Sequence, residues 1–168
     1  DHKKGLTVVE IIDAIHEKTI KGMYILGENP AMSDPDLNHA REALQMLDHL
    51  VVQDIFLTET ATYADVIFPA SAWPEKNGTA TNTNRQVQMG RKAIDAPGDA
   101  KEDWWITNEL GKKMGLDWNY NHPKEIYEEM SLTMPSLNNI SWDRLDIENS
   151  VTYPSKSPTT PGEEIVSV

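Results

Sequence analysis

Two adjacent polar residues, Gln53 and Asp54, interrupt the otherwise apolar run Leu50–Leu57. Burying an amide and a carboxylate costs free energy unless each finds a hydrogen-bonding partner. A ligand with hydroxyl or amine groups would supply those partners. A carboxylate, which only accepts hydrogen bonds, suits a ribose diol or the N–H edge of guanine. Capping of the following turn by Asp54 explains the carboxylate equally well, and the residues alone leave both interpretations open.

A second polar group of residues, Gly-Glu-Asn-Pro from Gly27 to Pro30, follows the apolar segment Met23–Leu26. Glycine permits a tight turn and a close approach of the backbone to a ligand. The side chains of Asn29 and Ser33, with the unpaired amides of a helix start, could hold a phosphate or a pterin. A plain turn between a strand and a helix is the alternative, and such turns are more often structural.

Basic residues are concentrated in one part of this acidic chain. Lys76 stands just before an Asn-Gly pair, which is a turn signal. The segment Asn77–Ile94 contains no carboxylate but includes Arg85, Arg91 and Lys92. A loop that faces a pyrophosphate would have this composition. A solvated loop is the alternative, and composition alone favours it.

Asp103 opens a predicted helix, where a carboxylate is expected for capping and for its interaction with the helix dipole. That structural role explains Asp103 fully. The five histidines are scattered without a metal-binding spacing, and the absence of cysteine excludes thiolate-bound clusters, zinc ribbons and a cysteine nucleophile in this chain. No glycine-rich dinucleotide or Walker motif occurs. We therefore predict neither catalytic nor metal-ligating residues within the chain.

A predicted alternation of helices and strands positions these candidates. Thr7 and Glu10 form a capping box ahead of an amphipathic helix, and Ser33 or Asp34 before Pro35 predicts a second helix start. The predicted strands are Met23–Leu26, Leu50–Leu57 and Val66–Phe68. A helical crossover makes the first two strands parallel neighbours, so the pattern predicts an α/β fold whose polar residues lie at strand ends, where open sheets bind ligands.

The remainder of the chain is predicted to be less regular. The segment Asn77–Arg91 has the composition of a loop. The further predicted helices are a short one from Thr58 to Tyr63, Asp103–Met114 with Gly115 as its terminator, and Lys124–Leu132. After Ser136 the pattern decays into a tail rich in proline, serine and threonine. We predict a domain over residues 1–135 and an irregular, partly disordered extension or linker over residues 136–168.

Charge and length restrict the possible partners. The chain has 168 residues, and its formal net charge of −12 argues against binding to nucleic acid or to an anionic membrane. No apolar run approaches the roughly 20 residues that span a bilayer, and no signal-type segment opens the chain. We predict no membrane insertion and a location in the cytoplasm. The start and the polar end suggest a fragment of a longer protein.

Four blocks in fixed order resemble the molybdopterin oxidoreductases that carry a bis(molybdopterin guanine dinucleotide) cofactor, and most closely the large (alpha) subunit of formate dehydrogenase. The blocks are Gly27–Pro30, Val51–Thr60, Asp65–Gly78 and Lys101–Gly115. The resemblance covers roughly residues 6–135. It implies a Rossmann-like α/β domain, a three-layer open and mostly parallel sheet with helices on both faces.

The resemblance also implies which residues bind the cofactor. They are Gly27, Glu28, Asn29, Ser33, Gln53, Asp54, Lys76 and Asp103. Gln53 and Asp54 would contact one guanosine half of the cofactor, and Asp103 would contact guanine. For Lys76 and Asp103 the resemblance is the reason for the assignment.

The function that the resemblance implies is that of a cofactor-binding domain without catalytic residues of its own. The whole enzyme would oxidise formate to CO2 at Mo or W, whose ligand lies outside this chain, and pass electrons through iron–sulfur clusters elsewhere in the subunit to an acceptor such as NAD+. Its partners would be the remaining domains of the large subunit and iron–sulfur or flavin electron-transfer subunits.

Two alternatives remain. The first is another member of the superfamily, such as a nitrate reductase or the related complex I subunit that has lost the cofactor. Lys76 and Asp103 argue against such a loss, and Gly-Glu-Asn-Pro favours formate dehydrogenase over nitrate reductase. The second is a non-catalytic interaction module whose polar strand ends bind a protein. A cysteine or selenocysteine followed by histidine in an upstream segment would distinguish the enzyme from the module.

Overall fold

The structure is a computed structural model that describes residues 4–163. It forms two compact units. Of the described residues, the first unit comprises those up to Ser71 together with Pro97–Asp103, and the second comprises Ala72–Ala96 and those from Trp104 onward. Within the described range, no helix has the length and apolar character required to cross a membrane.

A three-stranded parallel sheet forms the centre of the first unit, with the strand order β1-β2-β3. The strands are β1 (Gly22–Leu26), β2 (His49–Asp54) and β3 (Val66–Pro69). Helix α1 (Val8–His16) precedes β1, the helices α2 (Pro30–Ser33) and α3 (Leu37–Met46) connect β1 to β2, and a 3-10 turn (Thr60–Tyr63) precedes β3. The predicted α/β class with parallel strands is confirmed.

Helices α1 and α3 cover one face of this sheet. The predicted capping box at the start of α1 is present, and Ile12 and Ile15 of this helix pack against alanines of α3. Leu44 of α3 packs in turn against Ile25 and Val52 of the sheet. The opposite face carries partly exposed apolar side chains. The prediction of helices on both faces is therefore met on one face within this unit.

Strand β2 ends earlier than the sequence predicts. The apolar run continues to Leu57, but the strand stops at Asp54 because Asp54 Oδ1 accepts a hydrogen bond from the backbone N–H of Phe56 at 3.1 Å. A side chain that binds the backbone two residues ahead turns the chain out of the sheet. Phe56 and Leu57 are consequently among the most exposed apolar residues of the unit, at 72% and 76%.

The second unit contains an antiparallel sheet that the sequence analysis did not predict. Its strands are β4 (Gly78–Thr81), β5 (Gln86–Gly90) and β6 (Ser150–Thr152), in the order β4-β5-β6. The prediction of a loop over Asn77–Arg91 was wrong for β4 and β5. Composition suggested a loop, but Val87 is buried in the core of this unit and β5 pairs with the distant β6. Long-range pairing of this kind overrides local propensity.

Three helices complete the second unit. Helix α4 (Asp103–Lys113) begins in the first unit, α5 (Pro123–Thr133) matches a predicted helix, and α6 (Trp142–Glu148) was not predicted. Gly115, at φ +86°, follows α4 as the sequence predicts. Within 136–163, the expected irregular extension instead contributes α6 and β6, while residues 164–168 lie outside the described range. The domain boundary at residue 135 stays a prediction.

The buried tyrosine of α5 predicts a pH dependence of stability. Tyr127 is 3% exposed, its hydroxyl donates to the carbonyl of Ile140 at 2.8 Å, and burial raises its pKa from 10.0 to about 12. The folded state therefore favours the neutral phenol. Below pH 10 the ionisation of Tyr127 does not affect the free energy of unfolding. As the pH rises from 10 towards 12, the protein loses roughly 2 to 3 kcal/mol of this free energy, because the unfolded state ionises first.

Urea unfolding at several pH values, followed in the wild type and in Tyr127→Phe, measures this effect. Phenylalanine cannot ionise, so the variant should lose less stability than the wild type between pH 10 and 12. Parallel losses in the two proteins over this range would show that ionisation of Tyr127 does not oppose folding.

Candidate functional site

The carboxyl ends of β1 and β2 bring the first two groups of predicted residues to one edge of the sheet. Gly27 directly follows β1, and Gln53 and Asp54 are the last residues of β2. The backbone N–H of Gly27 donates to the carbonyl of Gln53 at 2.9 Å. Gly27 has φ +64°, a conformation that residues with a Cβ rarely adopt. This is the edge at which open α/β sheets bind ligands.

Asp103 reaches the same edge although it lies far away in the chain. Lys101 forms a parallel bridge with Ala70, its N–H donates to the carbonyl of Pro69, and its carbonyl accepts from Ser71. The chain therefore runs beside the end of β3 just before α4 begins. As a result, Gln53 Nε2 donates to Asp103 Oδ1 at 2.7 Å across a separation of 50 positions.

Gln53 is fully buried, and both ends of its amide are bound within the protein. Its Nε2 donates to Asp103, and its Oε1 accepts from the hydroxyl of Tyr24 on β1. Protein groups therefore meet the cost of burying this amide, and no ligand is needed for that purpose. The sequence analysis missed Tyr24. Its signal is a hydroxyl in an otherwise apolar strand that pairs with β2, on the face where Gln53 also projects.

Asp54 has the turn-capping role that the sequence left open. Its Oδ1 accepts from Phe56, and its backbone carbonyl accepts from Ala70 at 3.0 Å. The residue is only partly buried. Capping and ligand contact are compatible, because a carboxylate can accept several hydrogen bonds.

Asn29 connects two turns of the first unit. Its Oδ1 accepts from the backbone N–H of Thr60 at 3.1 Å and from the hydroxyl of the same residue at 2.8 Å, and its Nδ2 donates to Glu59 at 2.7 Å. The Thr60 hydroxyl in turn accepts from the N–H of Ala31 at 3.0 Å. The hydrogen bond from Asn29 lowers the pKa of the Glu59 carboxyl. The main role of the Asn29 side chain is therefore to hold the turn after β1 against the turn that contains Glu59 and Thr60.

Glu28 and Ser33 line a groove of about 490 Å³ along β1. Its other lining residues are mainly apolar and include Val8, Met23 and Tyr24. The Ser33 hydroxyl donates to the carbonyl of Asn29 at 3.1 Å. Glu28 thus lies on the turn that follows β1, and Ser33 ends the short helix α2 beyond that turn.

Lys76 belongs to the second unit, where its ammonium group lies 5.6 Å from the centroid of the Trp73 ring. The other cations of the acid-poor segment contact their own unit. Arg91 donates to Asn149 and Asp146 near the end of α6, and Lys92 forms an ion pair with Asp95 at 2.8 Å. These contacts favour a structural interpretation of the segment over one that faces a pyrophosphate.

The first unit is therefore an α/β domain with an amide and carboxylates at the carboxyl edge of its parallel sheet, the edge at which such sheets commonly bind ligands. The family model described as "Molybdopterin oxidoreductase" matches residues 1–113. The chain belongs to this family, which implies a molybdopterin cofactor.

Similar curated proteins include formate dehydrogenases. The chain is 48% identical over 164 residues to the F420-dependent formate dehydrogenase subunit alpha of Methanocaldococcus jannaschii, a match that covers 96% of this chain and 24% of the relative. It is 44% identical over 155 residues to a putative formate dehydrogenase of Bacillus subtilis, with 92% and 16% coverage. The chain thus spans about a quarter or less of the length of these relatives.

The fold also resembles that of a solved structure. Acetylene hydratase from Pelobacter acetylenicus superimposes with a TM-score of 0.70 at 20% identity, over 87% of this chain and 20% of the hydratase. At this level of identity the similarity concerns the fold alone.

Proposed function

We propose that this chain is a cofactor-binding domain of a formate dehydrogenase large subunit, and that it binds the guanosine part of a molybdopterin guanine dinucleotide. The observation that carries the proposal is the contact of Gln53 with Asp103 at the carboxyl edge of the parallel sheet. Formate dehydrogenase alpha subunits that are 40% to 48% identical to this chain support the choice of enzyme.

The hydrogen-bonding character of this edge fits guanine. Asp54 and Asp103 present carboxylate oxygens, which only accept hydrogen bonds. Guanine offers two adjacent donors, its N1–H and its exocyclic amine, so one carboxylate can accept from both. Adenine presents a different edge, with an acceptor at N1. Carboxylates at this edge would therefore favour guanine over adenine as well as contribute to affinity.

Other contacts follow from the resemblance to the family. Gly27, Glu28 and Asn29 in the turn after β1, where the backbone is accessible at Gly27, would border the cofactor together with Ser33 at the end of α2. Lys76 would contribute a positive charge to the negatively charged ligand. These assignments, like those of Gln53, Asp54 and Asp103, form part of the proposal.

The chemistry of the reaction lies outside this chain. When bound, the dinucleotide and its Mo or W would supply the two-electron oxidation of formate to CO2. The sequence contains no cysteine, so a cysteine or selenocysteine ligand to the metal must come from another segment. The residues described above bind and orient the cofactor and tune its electrostatic surroundings. The isolated chain is therefore expected to be inactive.

The partners in this scheme are the remaining domains of the large subunit and iron–sulfur or flavin subunits that receive the electrons. Iron–sulfur clusters elsewhere in the large subunit would begin that path. NAD+ is one possible final acceptor, and coenzyme F420 is another because similar alpha subunits are named F420-dependent. The net charge of −12 speaks against nucleic acid as a partner. A cytoplasmic location without membrane insertion completes the proposal.

Titration calorimetry with GDP tests the guanine site directly. We expect Asp103→Ala to weaken GDP binding about tenfold or more, because hydrogen bonds to a charged group contribute roughly 1.5 to 3 kcal/mol. Asp54→Ala should weaken binding as well. ADP should bind less tightly than GDP to the wild type.

Asp99→Ala is the matched control, because Asp99 is an exposed carboxylate on the segment that leads to Asp103. It changes the net charge by the same amount and should leave the affinity for GDP unchanged. Equal affinities in the wild type, Asp103→Ala and Asp99→Ala, with all three folded by circular dichroism, would remove Asp103 from the site. No preference for GDP over ADP in the wild type would refute the guanine assignment.

A further inference from the structure

Tyr24 takes part in a polar chain on one face of the parallel sheet. It lies on β1, and its ring is 6.4 Å from that of Phe68 on β3, centroid to centroid. Its hydroxyl contacts the buried Gln53 on β2, which contacts Asp103. The three side chains therefore form one continuous line of hydrogen bonds that ends at a residue of the proposed guanine site.

The chemistry of Asp103 fixes the direction of every hydrogen bond in this line. A carboxylate only accepts, so the Gln53 amide must turn its Nε2 towards Asp103. Its Oε1 must then face Tyr24, and the tyrosine hydroxyl must be the donor. This orientation of the amide follows from the hydrogen-bond network, which is the proper basis for assigning it.

The hydroxyl of Tyr24 stays protonated and can donate a hydrogen bond. Burial, and then the nearby charge of Asp103, raise the pKa of this tyrosine above its ordinary value. Without the hydroxyl, the Gln53 oxygen would be buried without its donor, a state that costs free energy. The amide could then rotate, and Asp103 would lose a fixed donor on one of its oxygens.

We propose that Tyr24 is a positioning residue of the guanine site, and that its hydroxyl, acting through the Gln53 amide, holds the Asp103 carboxylate in the orientation that accepts both N–H groups of guanine. The role of Tyr24 rests on the proposed function, because it requires Asp103 to face guanine. Tyr24 does not itself touch the base. It controls selectivity for the base more strongly than it controls affinity for nucleotides in general.

The ratio of the Kd values of IDP and GDP measures this selectivity. The two nucleotides differ only in the exocyclic amine of guanine, which hypoxanthine lacks. We expect the wild-type chain to bind GDP about tenfold more tightly than IDP, and Tyr24→Phe to reduce this ratio to about threefold or less. Phenylalanine retains the ring that packs near Phe68. If the substitution only disturbed the structure, it would weaken the binding of GDP and of IDP alike and leave the ratio of their Kd values unchanged.

A double-mutant cycle with Gln53→Leu tests whether Tyr24 acts through the amide. If it does, Tyr24→Phe has no further effect on the ratio once Gln53 is leucine. An equal reduction in both backgrounds would overturn the proposed route. Gln53→Asn supplies an independent variant, since it keeps an amide but withdraws it from both partners, and it should lower the ratio as Tyr24→Phe does.

Tyr63→Phe is the matched control, because this tyrosine packs against the core of the same unit. The ratio of the Kd values of IDP and GDP in Tyr63→Phe should equal that of the wild type. A wild-type chain that binds GDP and IDP equally would refute the guanine site and the role of Tyr24 with it. A wild-type preference for GDP that persists in full in Tyr24→Phe would refute the role of Tyr24 alone, whatever the ratio in Gln53→Asn.

Discussion

Arg144→Met is expected to lower the free energy of unfolding of the second unit by roughly 3 to 5 kcal/mol, because several acceptors around a buried guanidinium lose their donor and each such loss costs about 1 to 3 kcal/mol. Arg144 lies on α6 and is 7% exposed. Its Nε donates to Glu148 at 2.8 Å, and its two Nη atoms donate to carbonyls of Asn139, Ser157 and Thr160 and to the hydroxyl of Ser155.

The planar guanidinium therefore fixes the segment 155–160 by hydrogen bonds, since this segment contains few apolar residues that could pack. Methionine preserves much of the apolar stem but leaves these acceptors without their donor. Hydrogen exchange followed by mass spectrometry measures the effect, because it reports the second unit separately from the first. We expect the amides of residues 155–160 to lose protection first, together with those of α6.

Arg91→Met is the matched control for this prediction. Arg91 also contacts α6, through Asp146 and Asn149, but 47% of its side chain is exposed. An exposed pair of this kind contributes at most about 1 kcal/mol. Similar losses of stability in the two variants would show that burial of Arg144 is not what orders the segment.

Thr60→Val is expected to destabilise the first unit by roughly 1.5 to 4.5 kcal/mol, because the buried N–H of Ala31 loses its acceptor, at a cost of about 1 to 3 kcal/mol, and the hydrogen bond to Asn29, which contributes about 0.5 to 1.5 kcal/mol, is lost as well. Valine has nearly the same shape as threonine but lacks the hydroxyl. Thr60 is fully buried, donates to Asn29 and accepts from Ala31. Loss of the hydroxyl should loosen the turn after β1 that forms part of the proposed site.

Thermal unfolding and GDP titration of Thr60→Val measure the two consequences, lower stability and weaker binding. Thr62→Val provides the control, because the hydroxyl of Thr62 also forms a hydrogen bond in the 3-10 turn that contains Thr60, to the carbonyl of Glu59, but Thr62 is exposed. Its stability should differ from that of the wild type by about 0.5 kcal/mol or less. A Thr60→Val protein as stable as Thr62→Val would contradict the structural role given to this hydroxyl.

The two predictions concern residues that the sequence alone did not single out. Thr60 appears in the sequence as one more threonine of an alanine-rich turn, and Arg144 as one more charge near the end of the chain. Their importance comes from partners on other segments, at separations of 29 to 31 positions for Thr60 and of up to 16 positions for Arg144. Spacing along the chain cannot reveal such partners.

Only part of the candidate site could be predicted from the sequence, again because distant partners cannot be recognised from spacing along the chain. Gln53 and Asp54 were found because polar residues in an apolar strand are costly to bury. Asp103 was assigned only from the family resemblance, since helix capping explained it fully. Tyr24 was missed, because its hydroxyl has meaning only once β1 and β2 pair in register. The cofactor role of all these residues stays a prediction.

The sequence by itself determined the local features of this protein. It determined the capping box of α1, the apolar segments that form β1 to β3, the glycine that follows α4 and the family to which the chain belongs. These features depend on residues close together in the chain, on hydrophobic periodicity and on short motifs. Each can therefore be recognised before the fold is known.

The tertiary structure alone decided the rest. It placed Asp103 beside Gln53, paired β5 with β6 and ordered the proline-rich segment around Arg144. In each case the decisive free energy comes from hydrogen bonds or burial between segments that are distant in the chain. Such groups become partners only when the whole fold brings them together, so no local pattern specifies them.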